Sequence, residues 1–295
     1  MSSAQFSQYL VSGITQGSIY ALVALGFTII YAVTKIINFA QGDFVMLGGM
    51  LSFILIKATN IPFVPSLILA VLCTAVIGAI LYILAIRPAR NASVVSLIII
   101  TIGASIFIRG ITRQFLGVDS VRPPFFSGDE ALVFMGAIIR PQALWIIGTT
   151  IVVTVMLHLF LSYTMIGNAL KASAISKIAA AKVGIDTRTM SLYAFILAAI
   201  IGGTSGIVMA PLALTSYNVG VMLGLKGFVS ASIGGFKSPI ISVIGGITIG
   251  VVESLAVAIN VGPFTSSYKD AIAIIILLLI LLIRSGRLAA EERTA

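Results

Sequence analysis

Nine apolar stretches, each about as long as a lipid bilayer is thick, dominate the sequence between Tyr9 and Arg284. A membrane-spanning helix takes about 20 mostly apolar residues. Stretches of that kind occur at 9–30, 37–56, 64–86, 93–113, 142–163, 189–210, 217–236, 239–260 and 268–284. Charged residues make up 9% of the chain, against about a quarter in a water-soluble domain. So little charge cannot cover a surface in water. The expectation is an all-α, polytopic helical membrane protein with about 8–9 transmembrane segments, forming one domain over 1–295. The stretch 217–236 stands apart, because Gly220, Gly224, Gly227, Gly234 and Gly235 interrupt it and Lys226 lies within it. It is expected as a Gly-broken or re-entrant segment, tolerated at membrane depth where protein or a water-filled cavity surrounds it.

The net charge of +9 does not indicate nucleic acid, because the basic residues sit at the ends of apolar stretches and form no patch. Their placement predicts orientation, since short cytoplasmic loops are enriched in Lys and Arg. The loop 164–188 carries Lys171, Lys177, Lys182 and Arg188 against Asp186 alone; Arg87 and Arg90 mark another turn, and Arg284, Arg287 and Arg293 the tail. Placing all three regions in the cytoplasm puts the N-terminus outside and the C-terminus inside. The loop at about 114–141 is then external, turn-rich through Pro123, Pro124 and Gly128. Met1 to Ser7 lacks the basic residues of a cleaved signal peptide.

Three groups of residues are candidates for function. In the cytoplasmic loop, Leu170, Ala174, Ile178 and Ala181 recur at helical spacing between Gly167 and Gly184, predicting one surface helix. Such a helix either lies on anionic lipid or docks in a groove of a cytoplasmic partner; Gly167, Leu170, Lys171, Ser173, Ile178 and Gly184 are its candidate coupling residues. In the second stretch, Asn38, Gln41 and Asp43 interrupt an apolar run beside Phe39 and Gly42. Polar groups there face a bundle interior or a cavity. They serve as an interhelical hydrogen-bond cluster or as the lining of a solute pathway, the second being favoured. Arg109, Lys226 and Glu253 fall in apolar surroundings, where an unpaired charge costs about 2.5–3.5 kcal/mol or more; pairing of Glu253 with Lys226 or Arg109 would offset part of that.

Other chemistry has little support. Cys73 and His158 are single residues of their type, so no disulfide framework or Cys-type metal site is expected. No catalytic cluster, cofactor site or metal spacing is evident. A Gly-x4-Gly-Lys-Ser/Thr phosphate loop is missing, so ATP chemistry by that motif is not expected on this chain. A self-sufficient secondary transporter would show paired broken helices and ionisable midplane residues; Asp43 and Glu253 are scattered for that role.

The same residues carry a resemblance. Gly13-Ile-Thr-Gln-Gly-Ser-Ile-Tyr-Ala-Leu-Val-Ala-Leu-Gly-Phe-Thr-Ile-Ile-Tyr31, Ile37-Asn-Phe-Ala-Gln-Gly-Asp-Phe44 and Met46-Leu-Gly48 resemble the opening signature of branched-chain amino acid-type ABC importer permeases. Thr164, Gly167, Ala169, Lys171, Ala172 and Gly184-Ile185 resemble that family's coupling loop, and Gly224 to Gly235, Gly245-Gly246 and Gly250-Val-Val-Glu253 its C-terminal half. The chain departs at Gln41, where many members have histidine, at Lys171, where arginine is common, and in the tail Arg284-Ser-Gly-Arg-Leu288. The resemblance implies a bacterial-type inner membrane and a machine of two permeases, identical or related, with two cytoplasmic ATP-binding subunits. It also implies an external solute-binding protein, a surrounding of membrane lipid and no cofactor.

Overall fold

The computed structural model describes residues 3–58, 61–89, 92–134 and 136–259, with 271, 274 and 275. Apart from those last three, the stretch 268–284 lies outside the described residues, as do Arg90, Arg284, Arg287 and Arg293. Helices α1 (Ser3–Thr34), α3 (Phe63–Leu81), α4 (Val94–Leu116), α5 (Pro141–Tyr163), α8 (Thr187–Ala213) and α10 (Pro239–Ile259) are long and apolar enough to cross a membrane. Between them lie α2 (Gln41–Ala58), α6 (Met165–Ile175), α7 (Lys177–Lys182) and α9 (Val219–Ile233). The fold is a polytopic helical membrane bundle.

Helix α1 forms its axis and is buried nearly all round, with Tyr20, Leu22, Leu25 and Phe27 wholly enclosed. It lies along α10, where a Cβ on Gly17 would come within 2.6 Å of Ile247 Cα. Lipid chains are as apolar as leucine, so close backbone approach of this kind supplies the packing that a hydrophobic effect supplies in water. Helices α3, α4 and α5 stand at the rim and turn Ile68, Leu72, Ile106, Phe107, Val152 and Met156 outward. Such residues match a hydrocarbon solvent.

The second apolar stretch does not run as a full helix. Beyond Thr34 the chain turns at Lys35, whose φ of 63° is left-handed, and stays irregular to Ala40. Helix α2 then starts inside the bundle: Gln41 fills the space left by the missing side chain of Gly26 and donates to the Ala198 carbonyl of α8 at 3.1 Å. Gly26 precedes the end of α1 by eight residues, which is about 12 Å at 1.5 Å per residue. The chain therefore folds back into the bundle before α2 begins. Helix α9 has 15 residues, about 22 Å, short of the ~30 Å hydrocarbon core.

Two local features depart from the sequence expectation. The predicted single helix of the loop is two helices, because Ser176 leaves helical geometry at φ −153°, ψ 112° and caps α7, accepting from the Ala179 amide at 3.2 Å. The connection at 114–141 contains a small antiparallel hairpin, β1 (Leu132–Phe134) with β2 (Ala137–Ile139). Gln8 clamps it to α1 through the amide and carbonyl of Ile138.

Candidate translocation and coupling site

Helices α2 and α9 begin against each other. A Cβ on Gly42 would collide with the Gly220 carbonyl and reach the Gly224 amide nitrogen at 2.8 Å, and one on Gly220 would stand 2.9 Å from Asp43 Oδ1. Only glycine permits this approach. It places the polar residues of the α2 start deep in the protein, with Asn38 and Gln41 at 0% exposure and Asp43 at 1%.

Their hydrogen bonding is incomplete. Asn38 Oδ1 accepts from the Ala40 amide at 3.2 Å, while its Nδ2 has no partner. Gln41 uses Nε2 and leaves Oε1 without one. Neither oxygen of Asp43 accepts a hydrogen bond; Arg109 Nε of α4 stands 3.6 Å away, within ion-pair range, and donates to its own Ser105 carbonyl. Buried polar groups are almost always satisfied, so this run of open donors and acceptors is unusual. Sequence reasoning put Asp43 and Arg109 in separate groups, and the structure brings them together. Phe39 belongs to a chain of rings: Phe39 to Phe228 at 5.7 Å, Phe228 to Phe236 at 5.4 Å, Phe236 to Tyr31 at 4.9 Å. Phe236 holds a left-handed φ of 57°, a conformation costly for a bulky side chain.

A second buried group joins α1, α9 and α10. Lys226 Nζ meets Glu253 Oε1 at 2.6 Å and donates to Tyr20 Oη at 3.1 Å; that hydroxyl donates to Glu253 Oε2 at 2.9 Å. Tyr20 was not legible as a partner, being one aromatic among apolar residues of a helix.

The basic loop has two faces. Leu170, Ser173 and Ala180 turn into the bundle, Leu170 within the apolar cluster of Val33, Leu157 and Met190. Gly167 packs on the Phe160 carbonyl, and Thr164 caps α6 through the Gly167 amide. Ile175 and Ile178 point away from the bundle at 87% and 74% exposure, joined by Val183. Lys171 donates to Ser162 Oγ at 3.2 Å. Gly184 turns the chain at φ 87°, and Asp186 caps α8, its carboxyl held below the usual range by the Thr189 hydroxyl and the Arg188 amide.

Two lysines stitch this loop to the fold-back. Lys35 Nζ donates to the Ala174 carbonyl at 3.1 Å, and Lys177 Nζ to the Thr34 carbonyl at 2.9 Å. Burial and the neighbouring Lys35 charge lower the Lys177 pKa. Cys73 and His158 face outward from α3 and α5. Among the described residues no group of three or more His, Cys, Asp or Glu side chains could hold a metal ion.

A helical bundle with a chain that folds back to an interior helix start, beside a basic surface loop tied to that fold-back, defines a multi-pass helical membrane protein. Comparison with known proteins gives the family. The one described as Branched-chain amino acid transport system / permease component matches residues 9–281, and the chain belongs to it. The high-affinity branched-chain amino acid transport system permease protein LivH of Salmonella typhimurium is 31% identical, covering 94% of this chain and 93% of LivH. The corresponding protein BraD of Pseudomonas aeruginosa is 29% identical over 97% of both chains. Among solved structures, PsaBC from Streptococcus pneumoniae in complex with Fab aligns at TM-score 0.45 and 15% identity, over 94% of this chain and 89% of that one.

Proposed function

We propose that the chain forms the translocation pathway of an ATP-driven, binding-protein-dependent importer of branched-chain or related amino acids. It sits in an inner membrane with the N-terminus outside and the C-terminus in the cytoplasm. It works with a second permease subunit, identical or homologous, two cytoplasmic ATP-binding subunits and an external solute-binding protein. ATP hydrolysis belongs to the ATP-binding subunits, and this chain is a transport subunit.

The observation that carries the reading is the stitching of the basic loop to the fold-back. Ile175, Ile178 and Val183 offer an apolar surface to an ATPase groove, with Lys171 at its edge, while Gly167, Leu170 and Ser173 anchor α6 to the bundle. Movement of that loop pulls on Thr34 and Lys35, and through them on Asn38, Phe39, Gln41, Gly42 and Asp43. The pathway then exchanges between two discrete arrangements, since packed interfaces are bistable and do not deform continuously. Asp43, with no hydrogen-bond donor at either oxygen, offers a carboxylate to the ammonium of an amino acid in transit. Arg109 holds that charge between passages, and the Lys226–Glu253 pair keeps α9 in place.

Extraction in mild detergent tests the assembly. The chain is expected to bring down two copies of an ATP-binding subunit and to support uptake of leucine, isoleucine or valine in vesicles supplied with the binding protein and ATP. Extraction without any ATPase, or uptake driven by an ion gradient alone, overturns the reading.

A further inference from the structure

Helix α3 does not end as a plain α-helix: residues Tyr82–Ile86 form a π turn, in which the Arg87 amide donates to the Tyr82 carbonyl at 2.8 Å. Such widened turns recur at functional positions. Helix α4 packs on α2 and on this turn but scarcely on α3. Between α3 and α4 an apolar slot of about 460 Å³ stays open, lined by Ile77, Leu84, Ile100, Gly103, Ile108 and Ile111 among others. From Ile100 to Thr112 it runs about 18 Å at 1.5 Å per residue, close to the ~15 Å depth of one leaflet of a ~30 Å hydrocarbon core.

Near the end where α7 and α8 start, a separate polar cavity of about 260 Å³ is lined by Arg87, Lys177 and Arg188 with Thr34, Thr187 and Ser191. The two lie next to each other along both helices, Ala85 and Ile100 lining the slot, Ile86 and Leu97 the cavity. Among the described residues neither Arg87 nor Arg188 forms an ion pair. The one carboxylate nearby, Asp186, caps α8 and shares an adjoining hollow with the same Arg87 and Arg188, offsetting one of the three charges. Three cations against one carboxylate, beside a leaflet-deep apolar slot, have the chemistry to hold a phosphodiester joined to an acyl chain.

We infer that the α3–α4 slot and its basic mouth form a binding site for one anionic phospholipid, its acyl chain between α3 and α4 and its phosphate among Arg87, Lys177 and Arg188. A second copy of the chain fits less well. It would cover the apolar slot but bring no phosphate to the cations. Basic pockets between membrane helices bind anionic headgroups, each nearby cation contributing measurably.

The test uses the full chain purified in mild detergent and native mass spectrometry, with phosphatidylglycerol and phosphatidylcholine of the same acyl chains. Phosphatidylglycerol is expected to be retained selectively. Arg87→Gln with Arg188→Gln should weaken it roughly 10- to 30-fold, and Arg87→Lys with Arg188→Lys should keep most of it. Gly103→Phe should reduce retention of phosphatidylglycerol, because a side chain there meets nothing within 4 Å and fills the slot without disturbing the bundle. Equal retention of both lipids overturns the proposal, as does unchanged binding in the Gln and Phe variants. Full displacement by inorganic phosphate makes it a free-anion site, and disulfide cross-linking of two Gly103→Cys chains makes the slot a subunit interface; either result also overturns it.

Discussion

Lys226 Nζ lies 2.6 Å from Glu253 Oε1 with both side chains enclosed, and the Tyr20 hydroxyl bridges them. Removing one member of a buried ion pair typically costs about 3–5 kcal/mol, whereas replacing both with apolar residues of similar volume is often neutral. Lys226→Met alone should therefore lower the thermal unfolding midpoint of the detergent-extracted protein sharply. Lys226→Met with Glu253→Leu should recover most of the loss. A double variant no better than the single one would show that the charges do more than compensate each other.

Asp43 differs from Glu253 in that neither oxygen accepts a hydrogen bond and its ion-pair partner, Arg109 Nε, stands off at 3.6 Å. Asp43→Asn keeps the shape and removes the charge, so the fold and the assembly should survive while leucine uptake falls about tenfold or more. Asn38→Leu should likewise reduce uptake. Uptake assays paired with co-purification of the ATP-binding subunit separate the two effects, and equal loss of both would assign these residues to assembly.

Gly42 should tolerate no side chain, since even a methyl group collides with the Gly220 carbonyl. Gly42→Ala is expected to abolish uptake by forcing apart the starts of α2 and α9. Gly110→Ala, on an open face of α4, is the control and should be silent. Loss of transport in both would point to a general intolerance of glycine replacement.

The apolar runs made the bundle legible, because bilayer thickness imposes a length that a sequence displays directly. Glycines marked α9 as a segment apart, but they do not break it: the helix runs unbroken through Gly220, Gly224 and Gly227 and ends at Gly234, short at 15 residues. Asn38, Gln41 and Asp43 were legible as unusual, but the start of α2 at Gln41 was not: helix propensities differ by tenths of a kcal/mol, while the fold-back is set by Gly26 admitting Gln41. The break at Ser176 was hidden for a similar reason. Apolar spacing from Leu170 to Ala181 continues through it, and serine caps a helix or sits within one according to its surroundings. Tyr20, Phe228 and Phe236 carry no sequence signal, since an aromatic among apolar residues reads as packing until its partners are known.

The stitches from Lys35 and Lys177 make the sharpest claim about mechanism, because they separate docking from transmission. If the exposed face of the loop holds the ATPase, Ile175→Glu with Ile178→Glu should prevent co-purification, the charge being desolvated against an apolar groove. Leu170→Asp should instead destabilise the chain itself, since Leu170 is 1% exposed within the bundle. Gly184→Val puts a β-branched residue at φ 87°, where it is strained, and should tilt the loop without removing its docking face. Lys35→Met with Lys177→Met leaves that face intact and cuts the bonds to Ala174 and Thr34. The complex should then assemble and hydrolyse ATP at near-normal rates while uptake per ATP falls severalfold. If uptake and hydrolysis fell together, or if neither changed, the force would reach Asn38 and Asp43 by another route, with α8 the next element to test because Gln41 bonds it directly at Ala198.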